Sequence, residues 1–285
     1  MKIEKEYEIV EDIHFFLEAE KTDLESFSRD ANISKTILYK ILKEKKTTKL
    51  NYERIYSHIY KQGYRLNKVK EELLKETCKN VFYHGSKFGL EKIKIDGSRN
   101  TCDFGKGFYL GETYSNAACF VCENNDSSIY SFTLNTKDLN ILEFECTLDW
   151  MLAICYYRNS LNEYKEAKKI KAIIKKVENS DLIIAPIADN RMFYIMSLFT
   201  NGDINSEVAI HSLSASFMGK QYILKSEKAI ANLKPIEKYY LCKEEKDDFI
   251  DFLNKRTDEI ETKLKMAKRN FKEGLYIEEI LKWNN

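Results

Sequence analysis

Proline is nearly missing from this chain, with two residues in 285, and glycine is scarce at ten. No internal repeat and no low-complexity segment interrupts it, which excludes solenoid and linker-like architectures. Charge of one sign is also lacking. The 46 basic residues balance 45 acidic ones to a formal +1, so no global field draws the protein onto nucleic acid or an anionic membrane, and any such contact must be local. No apolar run suits a signal peptide or a membrane span of about 18 residues, so no membrane partner is expected. The seven cysteines, at 78, 102, 119, 122, 146, 155 and 242, are odd in number and irregularly spaced. That pattern argues against a disulfide framework and for a cytoplasmic protein with reduced thiols. Only Cys119 and Cys122 have CxxC spacing, without a second pair or a nearby His. They read as small apolar positions on a helix, and no metal is expected.

What is present supports a sizeable core: 44% of the residues are hydrophobic, and the length accommodates two domains. We expect a helical domain over 1–76, an α+β domain over 77–242 and an amphipathic helical extension over 243–285. The first segment has no Pro and one Gly. A short helix with Leu24 and Phe27 facing inward, a break at Asn32, an N-cap at Ser34 and a stripe of Ile37, Leu38, Ile41 and Leu42 follow one another, before a further helix carrying Ile55 and Ile59. This layout resembles a helix-turn-helix of the Cro/repressor type. Six Lys against one Glu lie between Lys35 and Lys49, so Ser34, Lys35, Thr36, Tyr39 and Lys40 are candidate nucleic-acid contacts. A solvated lysine face on a protein-docking bundle is the plainer reading of the same residues.

From 77 to 242 short strands rich in Tyr, Phe and Ile ("NVFYHG", "GFYLG", "SIYSFTLNT", "NILEFE", "DLIIAPI", "KQYILK", "IEKYYLC") alternate with helical runs, predicting a mixed or antiparallel sheet with helices on its faces. Beyond Cys242, Phe249, Leu253, Ile260, Leu264, Ala267 and Phe271 recur at helical spacing, which predicts one or two helices that dock on the domain or on a partner.

Against the general scarcity, "CDFGKGFYLGETYSNAACF" at 102–120 spends three of the ten glycines within seven positions. A GxG alone does not make a dinucleotide fingerprint, because the third Gly and the preceding strand are absent. The "DFG" lacks the lysine-bearing strand and catalytic loop of a protein kinase. Upstream, "VFYHGS" ends a strand in bare backbone after His84. A His within a strand is more often a satisfied core residue than a functional one, and Tyr109 in the next strand has the same plain reading. Together, His84 and Tyr109 beside glycine-relieved backbone would line a slot with a π face, a donor/acceptor ring and exposed peptide groups.

These residues resemble, in order and chemistry, the ADP-ribosyltransferases of the poly(ADP-ribose) polymerase and diphtheria-toxin type. "YHGS" resembles their first signature strand, "FGKGFYL…YSNAACF" the second, and "QYILKSEKAIANLKPIEKYYL" the third, over about residues 80–242. The nearest look-alikes are small bacterial members that act as toxins in toxin-antitoxin or phage-defence settings. The resemblance implies NAD as co-substrate, with no metal. It assigns His84 to the adenosine-side ribose, Gly85 to the nicotinamide carboxamide through its backbone, Tyr109 to stacking on the nicotinamide ring, and Ser115 to the carboxamide with a spacing one residue short. Ser86 and Gly107 fall beside these residues in the same motifs. Gln221 stands where most active members carry the catalytic Glu, which retains an acceptor oxygen but not the charge. "APIADNRMFYIM" places Asp189 and Arg191 before an apolar helix; a helix N-cap is the plain reading and contact with NAD the functional one. The implied activity is transfer of a single ADP-ribose to a protein or nucleic acid. Two alternatives stay open: an NAD glycohydrolase on the same fold, and a non-catalytic DNA-binding regulator that senses NAD or ADP-ribose. An antitoxin protein is a further expected partner.

Overall fold

Among its described residues, the Pro-free N-terminal region folds as five helices: α1 (Ile9–Glu20), α2 (Leu24–Asp30), α3 (Lys35–Glu44), α4 (Lys49–Lys61) and α5 (Leu66–Thr77). The computed structural model describes residues 3, 5–161, 163–189, 192–216 and 218–282, the side chain of Asp258 excepted. Asn32 turns the chain between α2 and α3 at φ 54°, and Ser34 caps α3 by accepting from the Ile37 N–H. Phe27, Leu38, Ile41, Ile55 and Ile59 share one core with Ile9, Ile13 and Phe16 of α1. Ile37 departs from the expected stripe: it is 38% exposed, on the outer side of α3.

Among the described residues seven strands follow: β1 (Val81–Ser86), β2 (Phe108–Gly111), β3 (Ser128–Leu134), β4 (Ile141–Glu143), β5 (Leu182–Pro186), β6 (Lys220–Leu224) and β7 (Leu233–Tyr239). They form one mixed sheet in the order β4-β5-β6-β2-β1-β3-β7. β4 and β5 are parallel and every other neighbouring pair is antiparallel. Pro235 is tolerated because β7 is an edge strand. The architecture is therefore α+β, a helical region before a sheet with helices packed on it.

Alternation along the strands sorts side chains onto two faces. One face carries Phe82, Phe108, Leu110, Phe132, Leu182 and Leu224, covered by α11 (Glu227–Ala231) and by Ile3. The other carries Ile183, Ala185 and Ile223 under the helical layer. Within that layer α7 (Leu148–Tyr157) is buried from Trp150 through Cys155, as an all-round apolar helix must be. The helices α8 (Lys168–Glu178), α9 (Met192–Thr200) and α10 (Ser206–Ser214) surround it, while α6 (Tyr114–Val121) packs on β1. The C-terminal residues dock on this layer: Ile260, Leu264 and Ala267 of α12 (Lys243–Asn270), with Ile277, Ile280 and Leu281 of α13 (Ile277–Lys282), enter its core.

The helical region and the sheet share buried polar contacts. Asn67 Nδ2 lies 2.8 Å from each of Tyr114 Oη, the Tyr240 carbonyl oxygen and Glu245 Oε2, which share its two N–H donors. Glu71 Oε1 accepts from the Tyr114 N–H at 2.9 Å, satisfying a donor at the start of α6. Tyr240 and Cys242, beyond the last strand, belong to the core of the N-terminal helices. All seven cysteines are free thiols. Among the described residues, no helix is long and apolar enough to cross a membrane.

Candidate active site

β1 and β2 are joined in register at a single pair, Tyr83 with Gly111. His84 lies where they part. Its ring stacks on Phe108 with centroids 4.3 Å apart, and Nδ1 is 2.8 Å from the Tyr109 carbonyl oxygen. A carbonyl can only accept, so Nδ1 carries the proton and Nε2 is left as an acceptor. Burial pushes the His84 pKa down to about 4, so the ring is neutral near pH 7 and keeps that lone pair.

Tyr109 lies on the opposite sheet face from His84, packed against the larger core. Its hydroxyl donates to the Gly105 carbonyl at 2.7 Å and accepts from the Phe104 N–H at 3.1 Å. Burial raises its pKa, so the phenol stays protonated. Gln221 shares that face: β6 pairs it with Gly111 of β2 and Ala185 of β5. The structure thus brings Tyr109 and Gln221 onto one face of adjacent strands, and ties His84 to them through the Tyr109 main chain.

The glycines answer to packing as well as to any ligand. A Cβ at Gly85 would sit 2.5 Å from the Ala117 carbonyl oxygen, and one at Gly107 would sit 2.6 Å from Ile223 Cγ2. These contacts let α6 and β6 approach closely. Ser86 spends its hydroxyl on the Gly89 carbonyl. Ser115 is exposed in the first turn of α6, whose cap is a reciprocal pair of Thr113 and Asn116. Asp189 Oδ1 accepts from the Met192 N–H at 3.1 Å, at the start of α9. Arg191 lies outside the described residues.

In the helical region, Ser34, Lys35, Thr36, Tyr39 and Lys40 are all exposed, with Tyr39 at 62%. Lys35 pairs with Glu25, and Lys40 Nζ is 3.9 Å from Glu44. Exposed pairs of this kind are worth at most about 1 kcal/mol, so they leave the lysines available to another anion. Cys119 and Cys122 sit at the end of α6, where the Cys122 thiol donates to the Cys119 carbonyl. Among the described residues no group of three or more His, Cys, Asp or Glu gathers as a metal site would.

Sequence reasoning passed over the partners of Gln221. Its Nε2 donates to Asp103 Oδ2 at 2.9 Å and to the Pro186 carbonyl at 3.0 Å. Arg158, just beyond α7, grips Asp103 Oδ1 through Nε at 3.0 Å and Nη2 at 2.5 Å. Lys225 donates to the Phe104 and Lys106 carbonyls, both at 2.6 Å, and burial lowers its pKa to about 8. The 102–107 loop is therefore pinned through the Asp103 side chain and, by Lys225, through two of its carbonyls. No local sequence signal announces this, because Asp103 is 55 residues from Arg158 and 118 from Gln221.

No curated protein and no solved structure matches the chain. Residues 81–234 match a family described as protein of unknown function, DUF3990. The match runs from β1 into β7 and contains His84, Asp103, Tyr109, Arg158 and Gln221. Because it covers more than half of the chain, this protein belongs to that family.

Proposed function

We propose that the chain is an NAD-dependent mono-ADP-ribosyltransferase with its site where β1 and β2 separate. The observation that carries this reading is the coupling of the first two sequence motifs: burial holds His84 neutral and the Tyr109 carbonyl fixes its tautomer, with Nε2 left as an acceptor. An acceptor of that kind suits a ribose hydroxyl. The remaining roles come from the resemblance: Gly85 and Ser115 toward the carboxamide, Tyr109 toward the nicotinamide ring, Gln221 toward the 2′-hydroxyl of the reacting ribose. Ser86, Gly107, Asp189 and Arg191 complete the proposed NAD contacts.

In the reaction the bond between ribose C1′ and the nicotinamide nitrogen breaks, and its electron pair leaves with nicotinamide, which becomes neutral. An acceptor atom bonds to C1′ and gives up its proton to water. Positive charge gathers on the sugar in between, so acceptor dipoles around the ribose stabilise the transition state more than the ground state. In the same reading the protein is a cytoplasmic bacterial toxin or phage-defence effector with an antitoxin partner. The exposed residues of α3 then contact DNA or a DNA-bound target.

The test is mass spectrometry of cell material after brief expression with isotopically labelled NAD, read beside nicotinamide release by the purified chain. Labelled protein or nucleic acid supports transfer; free ADP-ribose alone indicates the glycohydrolase. His84→Ala and Tyr109→Ala, checked for folding by circular dichroism, are expected to lose about 100-fold or more in nicotinamide release. Full activity in both variants refutes the assignment. The uncharged Gln221 keeps one further reading in view, a DNA-binding regulator, which NAD binding without turnover would favour.

A further inference from the structure

Gln221 is 8% exposed, and its amide can sit in only one orientation. The two groups facing Nε2 are a carboxylate oxygen of Asp103 and a peptide carbonyl of Pro186. Neither can donate, so the nitrogen must lie toward them and Oε1 away. Among the described residues Oε1 has no hydrogen-bond partner. Asp103, itself 6% exposed, is held in turn by Arg158. The Arg158 guanidinium carbon lies 3.5 Å above the Phe193 ring, and Trp150 Nε1 donates to the same Pro186 carbonyl at 3.3 Å. Tyr109 is hooked to Phe104 and Gly105, the residues next to Asp103. One pinned loop therefore sets both the Tyr109 ring and the Gln221 amide.

We infer that Asp103 is a positioning residue that acts through Gln221, an inference that rests on the transferase reading. A carboxylate accepting from the amide nitrogen draws positive charge toward that end and leaves Oε1 more negative. It also fixes the side-chain rotamer so that Oε1 alone is offered to a ribose hydroxyl. The Asp103 carboxylate stands one side chain further back than a Glu at 221 would and is paired with Arg158, so it acts on the sugar through the orientation and polarisation of the Gln221 amide.

This arrangement makes Gln221→Glu a harmful change. An ionised carboxylate at 221 would face the Asp103 carboxylate and the Pro186 carbonyl, so it either repels Asp103 or takes up a proton and loses the charge that it was meant to bring. Adding Asp103→Asn supplies a donor again and leaves the charge on 221. The experiment is nicotinamide release from NAD by the full chain in four forms: wild type, D103N, Q221E and D103N/Q221E, each assayed well below its unfolding temperature. We expect kcat to fall about 10-fold or more in D103N and in Q221E, with KM for NAD within about 2-fold of wild type in D103N. The double variant should recover to within about 3-fold of wild type.

Wild-type kcat in D103N, or a double variant no better than Q221E, overturns the role of Asp103 and leaves the transferase reading standing. A wild-type chain that neither binds NAD nor releases nicotinamide overturns the transferase reading, and the inference with it. If D103N does not fold, Arg158→Lys loosens the same carboxylate from a partly exposed position. It is expected to lower kcat about 3-fold, and an unchanged kcat there counts against the inference equally.

Discussion

At the scale of single residues, the protonation state of His84 follows from its surroundings. Burial disfavours the imidazolium, and the Tyr109 carbonyl, the one opposing influence, restores only part of what is lost. NMR titration of the four histidines should place the His84 midpoint near 4 rather than its ordinary 6.5. A midpoint near 6.5 would remove the argument for a neutral acceptor. The stability consequence has a definite sign: the unfolded chain takes up the proton below pH 6.5 and the folded chain only below about 4, so stability falls as pH drops through that window. The strand positions of His84, Tyr109 and Gln221, in β1, β2 and β6, were legible because each sits in a short apolar run with distinctive neighbours. Asp103 carries no signal of its own within "CDFGKGFYLG", since its importance comes from Arg158 and Gln221, which the folded chain brings to it.

Between elements, the glycines of the two motifs act by what they let approach. Gly85 admits the Ala117 carbonyl and Val121 of α6, and Gly107 admits Ile223 of β6. Gly85→Ala should therefore destabilise the protein by about 1–3 kcal/mol in urea unfolding, the usual range for forcing a methyl into packed surroundings. An unchanged midpoint would mean that α6 yields more readily than its contacts imply. The helices α2 and α3 were legible down to the cap, because Asn32 and Ser34 are local signals with local geometry. The direction of Ile37 was not: a helical stripe wider than the core it meets leaves one member facing water, and only the packed neighbours decide which.

For the whole molecule, the polar seam between the helical region and the sheet has a measurable pH response of its own. Glu245 is buried there and accepts from Asn67 and Tyr114. Desolvation pushes its pKa up to about 7 from 4.5, against the pull of those hydrogen bonds and of Arg65, while Asp248 adds to the rise. A raised carboxyl binds its proton more readily in the folded state, so stability is lost as pH climbs from 4.5 through about 7. Glu245→Gln, which removes the charge and keeps the size, should stabilise the protein at pH 8 by up to about 3 kcal/mol and change little at pH 4. Thermal unfolding at the two pH values checks this, and a Gln variant less stable at pH 8 would contradict it.

The sequence by itself determined the α+β class, the helical lead segment and most strand positions. Each follows from periodicity, caps and turn residues that act over a few positions. It also determined that the C-terminal residues are amphipathic. Only the tertiary structure decided where that apolar face goes, into the core under the sheet with Ile260, Leu264 and Leu281. It likewise decided that Tyr240 and Cys242 complete the core of the N-terminal helices, and that an uncharged Gln221 has a carboxylate behind it. These are contacts between residues far apart in the chain. A single sequence records the chemistry of each partner and nothing of the distance between them, which is set by how the layers close.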